Sequence, residues 1–165
     1  MVRLATKEDA AAVSTIYNHY VENTTVTFEI NPVAVEDMVA RIAEILSKYP
    51  FLVYDTNNII EGFAYASRWK GRCAYEYSAE STVYVKKDAV GRGIGKALYK
   101  ELLFRLKEQG IHSVIGGISL PNEASIRLHE GFGFEKAGQF REVGRKLGKW
   151  IDVGYWELLF GNSQH

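Results

Sequence analysis

Between positions 81 and 98 the chain reads Ser-Thr-Val-Tyr-Val-Lys-Lys-Asp-Ala-Val-Gly-Arg-Gly-Ile-Gly-Lys-Ala-Leu. A β-branched run, a short polar loop, three alternating glycines and the start of an apolar periodicity follow one another. That order predicts strand, loop and helix. It confines the chain to an α/β arrangement in which the first N–H groups of a helix lie bare behind a strand. Bare N–H groups and glycines that let a ligand approach the backbone make an anion site. Spacing narrows the choice of anion. A Walker loop places Gly and Ser/Thr where this chain has Val90 and Ala97, so nucleotide hydrolysis is disfavoured. The dinucleotide fingerprint G-x-G-x-x-G also fails, because Gly91, Gly93 and Gly95 run G-x-G-x-G. On this segment alone, a glycine-rich turn without a ligand stays open.

The remaining periodicities agree with α/β. Val13, Ile16, Tyr17, Tyr20 and Val21 recur at helical spacing after Thr6-Lys7-Glu8-Asp9, which resembles a capping box. A second helical face runs from Val35 to Tyr49, before Pro50, and a third places Leu98, Leu102 and Leu106 every fourth position up to Gly110. Residues 51–54 and 59–67 flank Asp55-Thr56-Asn57-Asn58 and read as a hairpin, while 75–85 reads as one long strand. A small-residue strand at 113–119 leads through Pro121-Asn122 to a short fourth helix, and 134–160 carries two further strand-like stretches. With 165 residues, 47% hydrophobic, and no internal repeat or linker, the expectation is one domain over 1–165 with a mostly antiparallel sheet. Twenty basic and 20 acidic residues give a formal net charge of +0, with no bulk attraction to nucleic acid or an anionic membrane. No apolar run approaches the ~18 residues of a membrane span, and the N-terminus lacks a signal-like apolar stretch. A cytoplasmic protein is expected. Its one cysteine, Cys73, forms no internal disulfide and builds no cysteine metal site, so no metal is expected.

The glycine segment resembles the acyl-CoA-binding motif of the GNAT superfamily of N-acetyltransferases, Arg/Gln-x-x-Gly-x-Gly/Ala after a strand. Gly93-Ile94-Gly95 match its end, and Val90 departs from the usual Arg or Gln. The segment Pro121 to Phe134 is similar to a second motif of that superfamily, Asn-x-x-Ala/Ser followed by Leu-Tyr and Gly-Phe. Arg72-Cys73-Ala74-Tyr75, the run Glu80 to Val85, Leu128-His129-Glu130 and Gly148 to Val153 resemble its phosphinothricin and methionine-sulfoximine acetyltransferase branch. The resemblance implies a splayed central pair of parallel strands, acetyl-CoA as acetyl donor, and a homodimer.

It also implies roles. Main-chain groups of Val83, Tyr84 and Val85 would meet the pantetheine arm, and Gly91, Arg92, Gly93, Ile94, Gly95 and Lys96 the pyrophosphate. Asn122 and Ser125 would contact the same ligand, although Asn122 is equally a helix cap. His129 stands where many relatives have a tyrosine that protonates the leaving thiolate; without the resemblance it reads as a structural histidine. His19, His112 and the terminal His165 sit in no such context. Glu80 would be the general base that takes the ammonium proton of the acceptor. Arg72 would hold a carboxylate through a two-pronged pair. Phe28, Trp69, Tyr75 and Tyr77 would wall a compact pocket, with Cys73 beside Arg72 and Lys149-Trp150 approaching from a dimer partner. No base activates Cys73 in sequence, so direct transfer is expected over an acyl-enzyme. The leading expectation is therefore N-acetylation of a small amino acid or analogue. The alternatives are a peptide, lysine or polyamine acceptor, and an acyl-CoA sensor without turnover.

Overall fold

The fold is described from a computed structural model over residues 1–161; His165 lies outside the described residues. In chain order the elements are β1 (Val2–Leu4), α1 (Ala10–Asn23), α2 (Val35–Leu46), β2 (Phe51–Thr56), β3 (Ile59–Arg68) and β4 (Ser78–Val85). Then come α3 (Ile94–Glu108), β5 (Ser113–Ser119), α4 (Glu123–Gly131), β6 (Glu135–Lys146) and β7 (Lys149–Leu159). The seven strands form one sheet in the order β1-β2-β3-β4-β5-β7-β6. All neighbours are antiparallel except β4 and β5.

Each sheet face carries a core, as strand alternation requires. On one face Leu52, Ala64, Ala66 and Val114 pack with Leu98, Leu102 and Leu106 of α3. On the other, Phe51, Val53 and Phe63 meet Val13, Ile16 and Val21 of α1 and Met38 and Ile42 of α2. Fully burying one such side chain contributes about 1.5–3 kcal/mol, so the apolar stripes decide where these helices dock. Among the described residues no helix is long and apolar enough to cross a membrane.

Turn chemistry sets the hairpins. Asn57 and Asn58 both have positive φ, at 53° and 68°, and join Thr56 to Ile59 by a two-residue turn whose twist matches the strands. Asp9 accepts the Thr6 N–H at 2.8 Å and two Arg3 N–H groups, so the expected cap at the head of α1 is also an ion pair. One sequence reading is corrected. Residues 75–77 are not strand: Cys73–Tyr75 make a single 3-10 turn, and β4 starts at Ser78. The aromatic, alternating pattern misled because β3 pairs with β4 only as far as Arg68 opposite Ala79, which leaves Tyr75 and Tyr77 exposed with no strand beside them.

The feature that positions the site is a lapse in pairing. β4 and β5 run together from Ser78 opposite Ser113 to Glu80 opposite Ile115, and then separate. The edge of β4 beyond Glu80 thus faces a gap instead of a neighbour.

Candidate active site

A cleft of about 380 Å³ opens where the two strands part. Glu80, Ser81, Thr82, Val83 and Tyr84 of β4 form one wall, and Gly117, Ile118 and Ser119 of β5 the other. Asn122, Ser125 and His129 of α4 close one end, and Phe28 with Val143 and Tyr155 the other.

Beside the cleft, α3 begins at Ile94 with Gly93 as its N-cap. Gly91 and Gly93 hold φ of +84° and +80°, and a Cβ on either would point into open space. Conformation, not crowding, calls for glycine there. The N–H groups of Ile94, Gly95 and Lys96 are the first of the helix and have no intrahelical acceptor. They suit a diphosphate, so the backbone fits the expected acetyl donor. The side chains divide differently. Ile94 is core, packed on β3, and Arg92 is bound to Glu61 at 2.6 Å. The Val85 carbonyl accepts the Tyr20 hydroxyl, so one of the three main-chain positions expected to meet pantetheine is already engaged.

Asn122 caps α4, its side chain accepting the Ser125 N–H at 3.2 Å, and both residues still border the cleft. His129 is buried against Gly116. A Cβ at 116 would fall 2.5 Å from the His129 Nε2, so only glycine lets the ring lie there. The His129 Nδ1–H donates to the Ser125 carbonyl at 2.7 Å, and Nε2 pairs with the Tyr99 hydroxyl at 2.7 Å. That hydroxyl also meets Ser81 Oγ at 2.6 Å. Burial pushes the His129 pKa below its ordinary value, against the opposing effect of the Ser125 carbonyl. The lowered pKa favours the neutral imidazole, and both of its nitrogens are occupied by hydrogen bonds.

Among the described residues Glu80 is the one carboxylate that lines the cleft. Burial raises its pKa, and the positive charge of Lys70 partly offsets this. Phe28 reaches the cleft from the α1–α2 connection and rests directly on β6. A Cβ on Gly144 would sit 2.2 Å from the Phe28 ring. Lys146 adds a second tie, donating to the Thr27 carbonyl at 2.8 Å.

The structure does not bring the rest of the expected acceptor set together. Arg72, Cys73, Tyr75 and Lys149 are all exposed, and none lines the cleft of a single chain. Trp69, in the segment before β4, reaches a cleft residue, its ring meeting Tyr155 edge-on at 5.8 Å. Tyr99, Tyr155, Thr82 and Val143 border the cleft but escaped the sequence reading; Tyr99 lies inside the apolar stripe of α3 and looks like plain core. Among the described residues no cluster of His, Cys, Asp and Glu is arranged to hold a metal.

Comparisons with known proteins agree with this geometry. Residues 2–154 match the family model for the acetyltransferase (GNAT) domain. A phosphinothricin N-acetyltransferase of Streptomyces viridochromogenes is 42% identical over 159 residues, covering 96% of this chain and 87% of that protein. An L-methionine sulfoximine/L-methionine sulfone acetyltransferase of Salmonella typhimurium is 35% identical over 158 residues, covering 95% and 92%. The crystal structure of a GNAT superfamily phosphinothricin acetyltransferase from Sinorhizobium meliloti in complex with AcCoA aligns with a TM-score of 0.94 at 34% identity, over 98% of this chain and 88% of that one. With strands parted beside an open helix N-terminus and a family match over nearly its whole length, the chain belongs to the GNAT acetyltransferases.

Proposed function

We propose that the protein transfers the acetyl group of acetyl-CoA directly to the amino group of a small amino acid or analogue of the phosphinothricin or methionine sulfoximine/sulfone type. The observation that carries this reading is the gap beyond Glu80. It opens an aromatic pocket with one carboxylate at the end of β4, and the open start of α3, suited to the donor's diphosphate, follows that strand in the chain. The relatives named for those acceptors share 35–42% of their residues with this chain. Acetyl-CoA is a substrate here, and the protein's part is to hold, orient and move protons. Bare main-chain groups along β4 would grip the pantetheine arm and polarise the thioester carbonyl. Glu80, ionised, takes a proton from the acceptor ammonium, and its burial keeps that carboxylate basic.

Arg72 is exposed and makes no ion pair among the described residues, three positions from Trp69, which meets Tyr155 of the cleft, so we assign it the acceptor carboxylate. Homodimer formation is supported by the exposed apolar residues of the β6–β7 hairpin, Phe140, Val143, Leu147 and Trp150. A patch of this kind is what a symmetric partner covers. A dimer would also bring Lys149 near an acceptor site. The balanced charge and the lone, exposed Cys73 are consistent with a cytoplasmic enzyme. A thiol-release assay with acetyl-CoA against amino acids, their sulfone and sulfoximine analogues, phosphinothricin, polyamines and peptides tests the reading. Turnover confined to the free amino acid analogues is expected. A preference for polyamines or peptides would overturn the acceptor class. Donor binding without turnover on any amine would make the protein a sensor.

A further inference from the structure

We propose that Ser81, Tyr99 and His129 form a buried proton shuttle that moves the second amine proton to the departing thiolate. The proposal rests on the amine acetylation argued above. Three hydroxyl or ring groups stand in line: Ser81 Oγ, 2.6 Å from the Tyr99 hydroxyl, which is 2.7 Å from His129 Nε2. All three residues border the cleft, yet their exposures are 6%, 0% and 4%, so water cannot readily replace any link.

The direction of the chain follows from its far end. The Ser125 carbonyl can only accept, so His129 Nδ1 carries the hydrogen and Nε2 of the neutral ring must accept. Tyr99 therefore donates to Nε2, and with its one hydrogen spent its oxygen accepts from Ser81. One main-chain carbonyl thus fixes three hydrogen positions. It leaves the lone pairs of Ser81 Oγ as the receiving end beside the cleft.

Proton accounting shows the need. An ammonium acceptor loses two protons on becoming an amide. Glu80 removes the first before attack and returns it to solvent. Attack on the thioester then gives a tetrahedral adduct that still carries a protonated nitrogen. One N–H bond breaks as an O–H bond forms at Ser81. The Ser81 proton passes to Tyr99, and the Tyr99 proton to His129 Nε2, which makes an imidazolium. When the C–S bond breaks, the sequence reverses and Ser81 gives its proton to sulfur. CoA leaves as a thiol and the three residues regain their starting state. Burial disfavours the imidazolium, which favours return of the proton. It also holds the Tyr99 pKa well above its ordinary value, so that link stays a hydroxyl. Ser81 is the group that meets the substrate, and Tyr99 and His129 act through it.

Ser81→Ala and Tyr99→Phe in the full-length enzyme, assayed with acetyl-CoA and the best amine of the panel, test the shuttle. Each should lower kcat by about 10²-fold while both KM values stay within about twofold. The double variant should be no slower than the slower single variant, since both cut one path. The wild-type rate should show a curved dependence on deuterium fraction in the solvent, from several protons in flight, and Ser81→Ala a linear one. Should Tyr99→Phe fail to fold, the smaller Ser81→Ala change and its isotope dependence still decide. Wild-type turnover with an unaltered kcat in Ser81→Ala, or losses that simply multiply, would overturn the shuttle alone. Absence of wild-type turnover with every amine would overturn the acetylation reading and the shuttle with it.

Discussion

Gly116 offers the sharpest test of how the cleft is built. Alanine there would put a methyl carbon 2.5 Å from His129 Nε2 and 2.7 Å from its Cδ2. The ring has nowhere to retreat, because Tyr99 and Phe134 each lie 5.0 Å from it, centroid to centroid. Overpacking a tight core costs about 1–3 kcal/mol. Pushing the imidazole aside also breaks the 2.7 Å bond to Tyr99 and leaves the buried Nε2 without its partner, which costs about 1–3 kcal/mol more. A total of about 2–6 kcal/mol in a domain of this size lowers Tm by on the order of 10 °C. Calorimetry of Gly116→Ala beside Gly117→Ala measures it directly. The neighbouring substitution brings its Cβ only to 3.2 Å from the edge of the Tyr155 ring, so it should be much milder. Removing the clashing ring in Gly116→Ala/His129→Ala should make the double variant more stable than the two single losses add up to. A Gly116→Ala protein that melts with the wild type would refute the packing argument and, with it, the fixed orientation of His129.

Glu80→Gln should cut turnover by 10²-fold or more at neutral pH, with partial recovery as pH rises and more amine is neutral; an unchanged rate would remove Glu80 as the base. The same variant should unfold at a higher temperature at pH 7. Burial raises the folded-state pKa of Glu80, so its favourable contribution holds below the unfolded value and disappears as pH rises through the folded one. That gain in Tm should vanish below about pH 4, where the carboxyl is protonated in both states. Gly93→Val, at φ +80°, should raise the apparent acetyl-CoA constant several-fold, whereas Gly95→Ala, meeting Val85 and Leu128 at 3.6–3.7 Å, should be tolerated; equal donor titrations for both would argue against the α3 start as the diphosphate site. Arg72→Ala should weaken free amino acids as acceptors by at least tenfold and leave the donor constant alone, and use of amino-acid amides as readily as free acids by wild type would contradict the assignment.

Where a local rule decides the structure, the sequence was enough. Leu98, Leu102 and Leu106 announce α3, Asn57-Asn58 announces a hairpin, and Gly91 and Gly93 announce a backbone that ordinary residues rarely adopt. Tyr75 shows the opposite case: its strand-like neighbourhood has no partner strand, and pairing across the sheet is invisible to local pattern. The candidate site divides the same way. Glu80 and the stretch Val83 to Val85 were expected from the resemblance, and of these Glu80, Val83 and Tyr84 border the cleft. Tyr99 could not be expected, because a hydroxyl on a buried helix face is recognisable only once Ser81 and His129 arrive from 18 and 30 residues away. Gly116 and Gly117 read merely as small residues in a strand, since the ring that demands the first of them sits on α4. Arg72, Cys73, Tyr75 and Lys149 followed from resemblance, and a single chain leaves them at the surface.

The seating of Phe28 on Gly144 has a consequence for how such an enzyme can change its diet. The ring occupies the space that any larger residue at 144 would need, with a Cβ falling 2.2 Å from it. Pocket width is therefore written partly on a hairpin more than a hundred positions downstream of an aromatic that lines the cleft. A lineage could widen or reshape the acceptor end by a single glycine replacement, keeping Phe28, Glu80 and the donor-binding loop untouched. A change of acceptor could then be set by Gly144, a residue that itself does not line the cleft.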